Sequence, residues 1–126
     1  MPETLLYDVN LQTCPDAWLH GHWRQRRRGP GADTVFSRAE EWQLYPTGVL
    51  QLLGTAGQHA GGWQVERDAR LGRPYLTLVL PQEQSRALIT RLQRAPDGRA
   101  AAITLYLANG VELVLDYVSS PESGRP

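Results

Sequence analysis

At 126 residues the chain is long enough for one domain whose core needs neither metal nor disulfide staples. Thirteen basic and thirteen acidic residues cancel, so no overall field recruits nucleic acid or an anionic membrane. The single cysteine, Cys14, has no internal disulfide partner, and MPETLLYDVNLQ carries acids where a signal peptide needs bases, so the expected location is the cytoplasm.

Residues 1–14 read as an N-terminal arm, in which Leu5 to Val9 is either an edge strand or a segment lying against the body. Cys14-Pro15-Asp16-Ala17-Trp18-Leu19 predicts one helical turn, opened by Pro15 or capped by Asp16. The strand that follows alternates, with Leu19, Gly21 and Trp23 on one face and His20, His22 and Arg24 on the other. Gln25 to Asp33, QRRRGPGAD, predicts a loop, and the next strand is expected near Thr34. A three-residue turn at Pro46-Thr47-Gly48, with Gly48 left-handed, sets Leu44 opposite Leu50 and Trp42 opposite Leu52. Gly54 to Gly62 predicts a glycine-rich loop, Trp63 to Glu66 a short strand and Arg67 to Pro74 a turn. Tyr75 to Leu80 alternates as a strand and ends at Pro81.

Ser85 to Gln93 has a composition that suits helix or strand. Strand is preferred, because Pro96-Asp97-Gly98 repeats the Pro-x-Gly turn and sets Ile89 opposite Leu105 and Arg91 opposite Ile103. Ala100 to Val118 is the clearest hairpin. A two-residue Asn-Gly loop would mix carboxylates with aliphatics on each face. A three-residue loop at Ala108-Asn109-Gly110 instead pairs Leu107 with Val111, Leu105 with Leu113 and Ile103 with Leu115, making one face wholly aliphatic. Ser119 to Pro126 is a polar tail with nothing to bury.

About eight short strands joined mostly by tight turns, with no helical crossover, pair antiparallel. A meander with one aliphatic face closes most easily on itself, which removes its edges. The expected fold is all-β: an up-and-down antiparallel barrel over residues 15–118 with one helical turn before its first strand, between an arm of residues 1–14 and a tail of residues 119–126.

Leu19-His20-Gly21-His22-Trp23, a Leu-x-Gly-x-Trp signature after a single helical turn, resembles the opening of lipocalins and of small bacterial lipocalin-like domains. Trp42 to Gly48, as Trp-x-Leu-x-x-x-Gly, and Gly61-Gly62-Trp63 look like the hairpin and mid-chain strand of those domains. The resemblance spans roughly 100 residues as a pattern. It implies that the first-strand Trp packs across a closed barrel end beneath a basic side chain from a late strand. Val111 to Tyr117 carries no basic residue, and Arg91, turned inward by the expected register, is the nearest substitute.

A barrel of this size is wide enough to be filled by its own side chains or to hold one small ligand. The expected ligand-binding residues are Trp42, Leu44, Trp63, Leu78, Ile89, Leu105 and Leu113, with Arg91 engaging an acidic head group. His20 and His22, with His59 as a third ligand, have a spacing that can chelate zinc or copper, yet they fall on the outer face and are expected to be surface histidines. Arg24 and Arg26 to Arg28 are expected to be solvated, with no nucleic-acid or membrane partner.

No Gly-x-Ser-x-Gly, His-Glu-x-x-His or Cys-x-x-Cys occurs, and Cys14 has no assignable base, so the expectation is a protein that is not an enzyme and has no cofactor. The leading function is binding of a small hydrophobic or amphipathic ligand inside the barrel. The alternative is a filled barrel that docks another protein, or a second copy of itself, through an outer patch of Tyr75, Val79, Tyr106 and Val114 or through Arg26 to Arg28.

Overall fold

The computed structural model describes residues 6–31, 34–54, 57–97 and 100–119. Its strands are β1 (Tyr7–Asp8), β2 (Gly21–Arg28), β3 (Glu41–Leu44), β4 (Val49–Gly54), β5 (Gly57–Arg67), β6 (Pro74–Val79), β7 (Gln84–Arg94), β8 (Ala100–Leu107) and β9 (Glu112–Ser119). Each of β2 to β9 pairs antiparallel with the next, and β9 returns to β2, so eight strands close into an up-and-down barrel. A single 3-10 turn, Asp16–Leu19, precedes the barrel. Pro15 opens this turn without a side-chain cap. Among the described residues no helix is long and apolar enough to cross a membrane.

Both expected three-residue turns have the register their chemistry demands. Leu44 faces Leu50 and Trp42 faces Leu52 across β3 and β4, while Ile103 faces Leu115 and Leu105 faces Leu113 across β8 and β9. Gly48 and Gly110 both sit at φ +93°, where a side chain would be strained. One aliphatic face therefore turns inward. Leu50, Leu52, Leu76, Leu78, Leu113 and Leu115 are fully buried there together with Trp23 and Trp42, each contributing roughly 2 kcal/mol by leaving water.

Four local expectations are corrected. First, Arg26 to Arg28 are not in a loop, because β2 runs on through Arg28 to give β9 a partner along most of its length. Second, Thr34 starts a short helix, α1 (Val35–Arg38), instead of a strand. Thr34 and Ser37 form a reciprocal capping box, which presses Phe36 into the core against Trp42.

Third, the glycine-rich stretch is strand from Gly57 onward. A Cβ on Gly61 would lie 1.9 Å from the Val79 carbonyl oxygen, so these glycines permit close strand approach where a loop was expected. Fourth, Arg91 faces Thr104 and Leu92 takes the place opposite Ile103. The cause is a bulge after Ile89 that leaves Thr90 and Arg91 both outside and returns Leu92 to the core. Strict alternation would have buried a guanidinium among aliphatics, which costs far more than one irregular pair. Of the expected Pro96-Asp97-Gly98 turn, Gly98 lies outside the described residues, as does the tail beyond Ser119.

The packing over Trp23 differs from the expectation for Arg91. Tyr117, not a basic residue, covers Trp23, edge to face with ring centroids 5.2 Å apart. Gly21 makes room for it, since a Cβ there would lie 2.5 Å from the Tyr117 ring. Trp23 donates its indole N–H to the Leu19 carbonyl. Beside this pair Arg94 stacks on Trp18, its guanidinium 3.8 Å from the ring centroid.

Candidate functional site

Trp42, Leu44, Trp63, Leu78, Ile89, Leu105 and Leu113 are brought together as expected, all buried in one core cluster. Trp63 spends its indole N–H on the Tyr45 carbonyl and meets His20 edge-on. Among the described residues the buried indole N–H of Trp42 has no partner. Arg91 is not with them. Its side chain is 56% exposed, and its Nε donates to Asp8 at 2.8 Å. This contact holds the Asp8 carboxyl below the usual carboxylate range.

A cleft lies at a seam of the sheet. β6 pairs with β7 only as far as Tyr75 opposite Leu88, whereas β1 joins β7 only at Gln93 and Arg94. The gap between is a cleft of about 450 Å³. Val9, Asn10, Leu11 and Gln12 of the arm form one wall, Leu88, Ile89 and Thr90 of β7 the other, and Arg73 stands at the β5–β6 turn. The lining is apolar at Val9, Leu11, Leu88 and Ile89 and polar at the remaining positions.

The walls are set by a few polar ties. Arg67 donates to the Leu11 carbonyl at 2.8 Å, to Gly72 at 3.0 Å and to Cys14 at 2.7 Å, which fastens arm and turn to the end of β5. Gln12 adds a bond to the Leu71 carbonyl at 2.7 Å. Within the turn, Asp68 accepts from the backbone N–H of Leu71, Arg70 and Arg73. These bonds, that from Leu71 foremost, lower its carboxyl pKa. Asp68 is therefore saturated by backbone, and the Arg73 guanidinium makes no hydrogen bond among the described residues. Cys14 closes the base of the arm, buried, its thiol pKa pushed up by desolvation.

The histidines do not converge. His20 lies on Trp63, and burial lowers its pKa; His22 bonds Glu41; His59 is on β5, its buried Nε2 without a partner among the described residues. Among the described residues no group of three metal-ligating side chains forms. Along β2 the arginines have local roles, with Arg26 paired to Asp116 at 2.9 Å and Arg28 bonded to the Gly31 carbonyl. Outside the barrel, Tyr75, Leu88 and Tyr106 lie side by side across β6, β7 and β8, while Val79 and Val114 belong to other rows.

Sequence reasoning missed Asn10, Gln12, Arg73 and Thr90. Nothing local marks them, because the cleft exists only where three separated segments meet. Comparison of the chain with protein-family models, with curated proteins and with solved structures finds no match in any of the three.

Proposed function

We propose that this is a lipocalin-like barrel that holds one small hydrophobic or amphipathic molecule and does no chemistry on it. The guest's seat is the seam between the arm and β7. One observation carries the reading: a cleft of about 450 Å³, apolar at Val9, Leu11, Leu88 and Ile89, with Arg73 at its rim. This volume falls within the range of roughly 300–1,000 Å³ typical of small-molecule sites. Arg73 supplies the counter-charge that sequence reasoning had given to Arg91, so a polar or acidic end of the guest belongs at the turn. The role asks for no nucleic acid, membrane or cofactor, accommodates a homodimer, and suits a cytoplasmic protein whose one thiol stays buried.

Titration of the full chain with decanol and with decanoate, read by calorimetry and indole fluorescence, tests the proposal. Binding in the micromolar range that falls at least tenfold in Leu11→Glu is the expected result. Absence of binding at millimolar ligand, or indifference to the substitution, would overturn it.

A further inference from the structure

A second cleft, of about 270 Å³, lies on the outer face of the barrel where Tyr75, Arg86, Leu88 and Tyr106 meet. Register places Tyr75 directly opposite Leu88, and Leu88 directly opposite Tyr106. The two tyrosines thus stand two strands apart with a leucine floor between them. Neighbouring strands are about 4.8 Å apart, so the two rings rise from positions separated by roughly 10 Å. One flat ring inserted above Leu88 would then lie about 5 Å from each tyrosine, within the 4.5–7 Å range that aromatic pairs prefer. No isolated surface tyrosine offers such a slot.

The cleft carries one charge of each sign, the Arg86 guanidinium and the Asp68 carboxylate. The Arg86 guanidinium rests over the Tyr75 ring at 5.3 Å, and among the described residues it has no carboxylate partner. Both nearby acids are occupied. Asp68 accepts three backbone N–H bonds, and Glu66 accepts from the Thr77 hydroxyl at 2.6 Å and the Tyr75 hydroxyl at 3.3 Å. Tyr106 is 49% exposed, a large aromatic surface left to water.

We propose that this cleft binds a planar aromatic ring carrying an anionic group, the ring over Leu88 between Tyr75 and Tyr106 and the anion at Arg86. The site is independent of the seam, although Leu88 borders both. An aryl carboxylate and a nucleoside monophosphate share the required chemistry.

Calorimetric titration of the full chain compares 2-naphthoate, 2-naphthylmethanol and adenosine monophosphate. Naphthoate is expected to bind at least fivefold tighter than the alcohol. Arg86→Gln should remove that preference and leave the alcohol unchanged, and Tyr106→Ala should weaken both tenfold or more. Leu11→Glu, which disrupts the seam, should alter neither. Tighter binding of the nucleotide than of naphthoate, lost in the same two variants, would support the site and assign it to nucleotides. Equal affinity for acid and alcohol would overturn the proposal, and so would indifference to Tyr106→Ala or loss of binding in Leu11→Glu. A concentration-dependent dimer that Tyr106→Ala abolishes, with no ligand bound, would overturn it by making the row a self-association face.

Discussion

Across β8 and β9, Ile103 faces Leu115 and Leu105 faces Leu113, none more than 1% exposed. Around the seam where the arm meets β7 and the end of β5 the partners are instead Asp8 with Arg91, the Val9 amide with the Leu92 carbonyl, and Arg67 with the Leu11 and Cys14 carbonyls. The hairpin wall is held by apolar area removed from water, which resists salt and pH. The seam is held by exposed charge and a few hydrogen bonds, each worth about 1 kcal/mol or less net. Regions of the second kind open first, and binding sites are drawn from them. The contrast sets a tightly packed hairpin wall against a cleft that lies where the sheet pairing is interrupted.

Substitutions should separate the two regions cleanly. The largest effect is expected for Leu105→Ala in the hairpin wall, about 3 kcal/mol lost in denaturant unfolding. A loss below about 1 kcal/mol would mean that the wall is not tightly packed. Gly61→Ala comes next, at about 2 kcal/mol, since its Cβ meets the Val79 carbonyl oxygen at 1.9 Å and either β5 or β6 must move. Unchanged unfolding there would show that the close approach is absent.

Arg67→Ala should leave the global midpoint nearly where it is while hydrogen exchange at the Val9 amide rises roughly tenfold, the equivalent of about 1.4 kcal/mol of arm stability. Equal acceleration in β8 and β9 would erase the distinction between seam and wall.

The smallest effect is a pH dependence confined to the arm. Arg91 lowers the folded-state pKa of Asp8, so the contribution of this pair is complete above the unfolded carboxylate value and is lost as pH falls through the lowered folded value. After correction for intrinsic rates, the Val9 amide should lose protection below about pH 4 while the hairpin amides do not. Asp8→Asn should show the loosened arm at every pH with no acid step. An unchanged acid step in that variant would assign it to another group.

Much of the scaffold was readable because turn chemistry and hydrophobic alternation agree. Gly48 and Gly110 specify left-handed positions, and only a three-residue loop then keeps the leucines on one face. The errors share a cause. Thr34-x-x-Ser37 is a capping box whose signal is obscured by the adjacent Gly-Pro-Gly segment, and Gly54 to Gly62 reads as a loop because glycine signals both turns and close approach. Arg91 failed because a bulge shifts the alternation by one residue. The step from Ile89 to Leu92 is the sole local trace of that shift.

The order of apolar and polar residues, with glycines at two corners, was sufficient to set the strands, their pairing and the identity of the core, since each depends on neighbours close along the chain. Where β6 stops short of β1, how Arg67 joins residues 53 to 56 positions away, and which arginine comes to rest at the cleft depend on segments distant in sequence. Only the closed barrel decides them, because a cleft is a property of surfaces that fail to meet, and no single stretch of chain contains both sides.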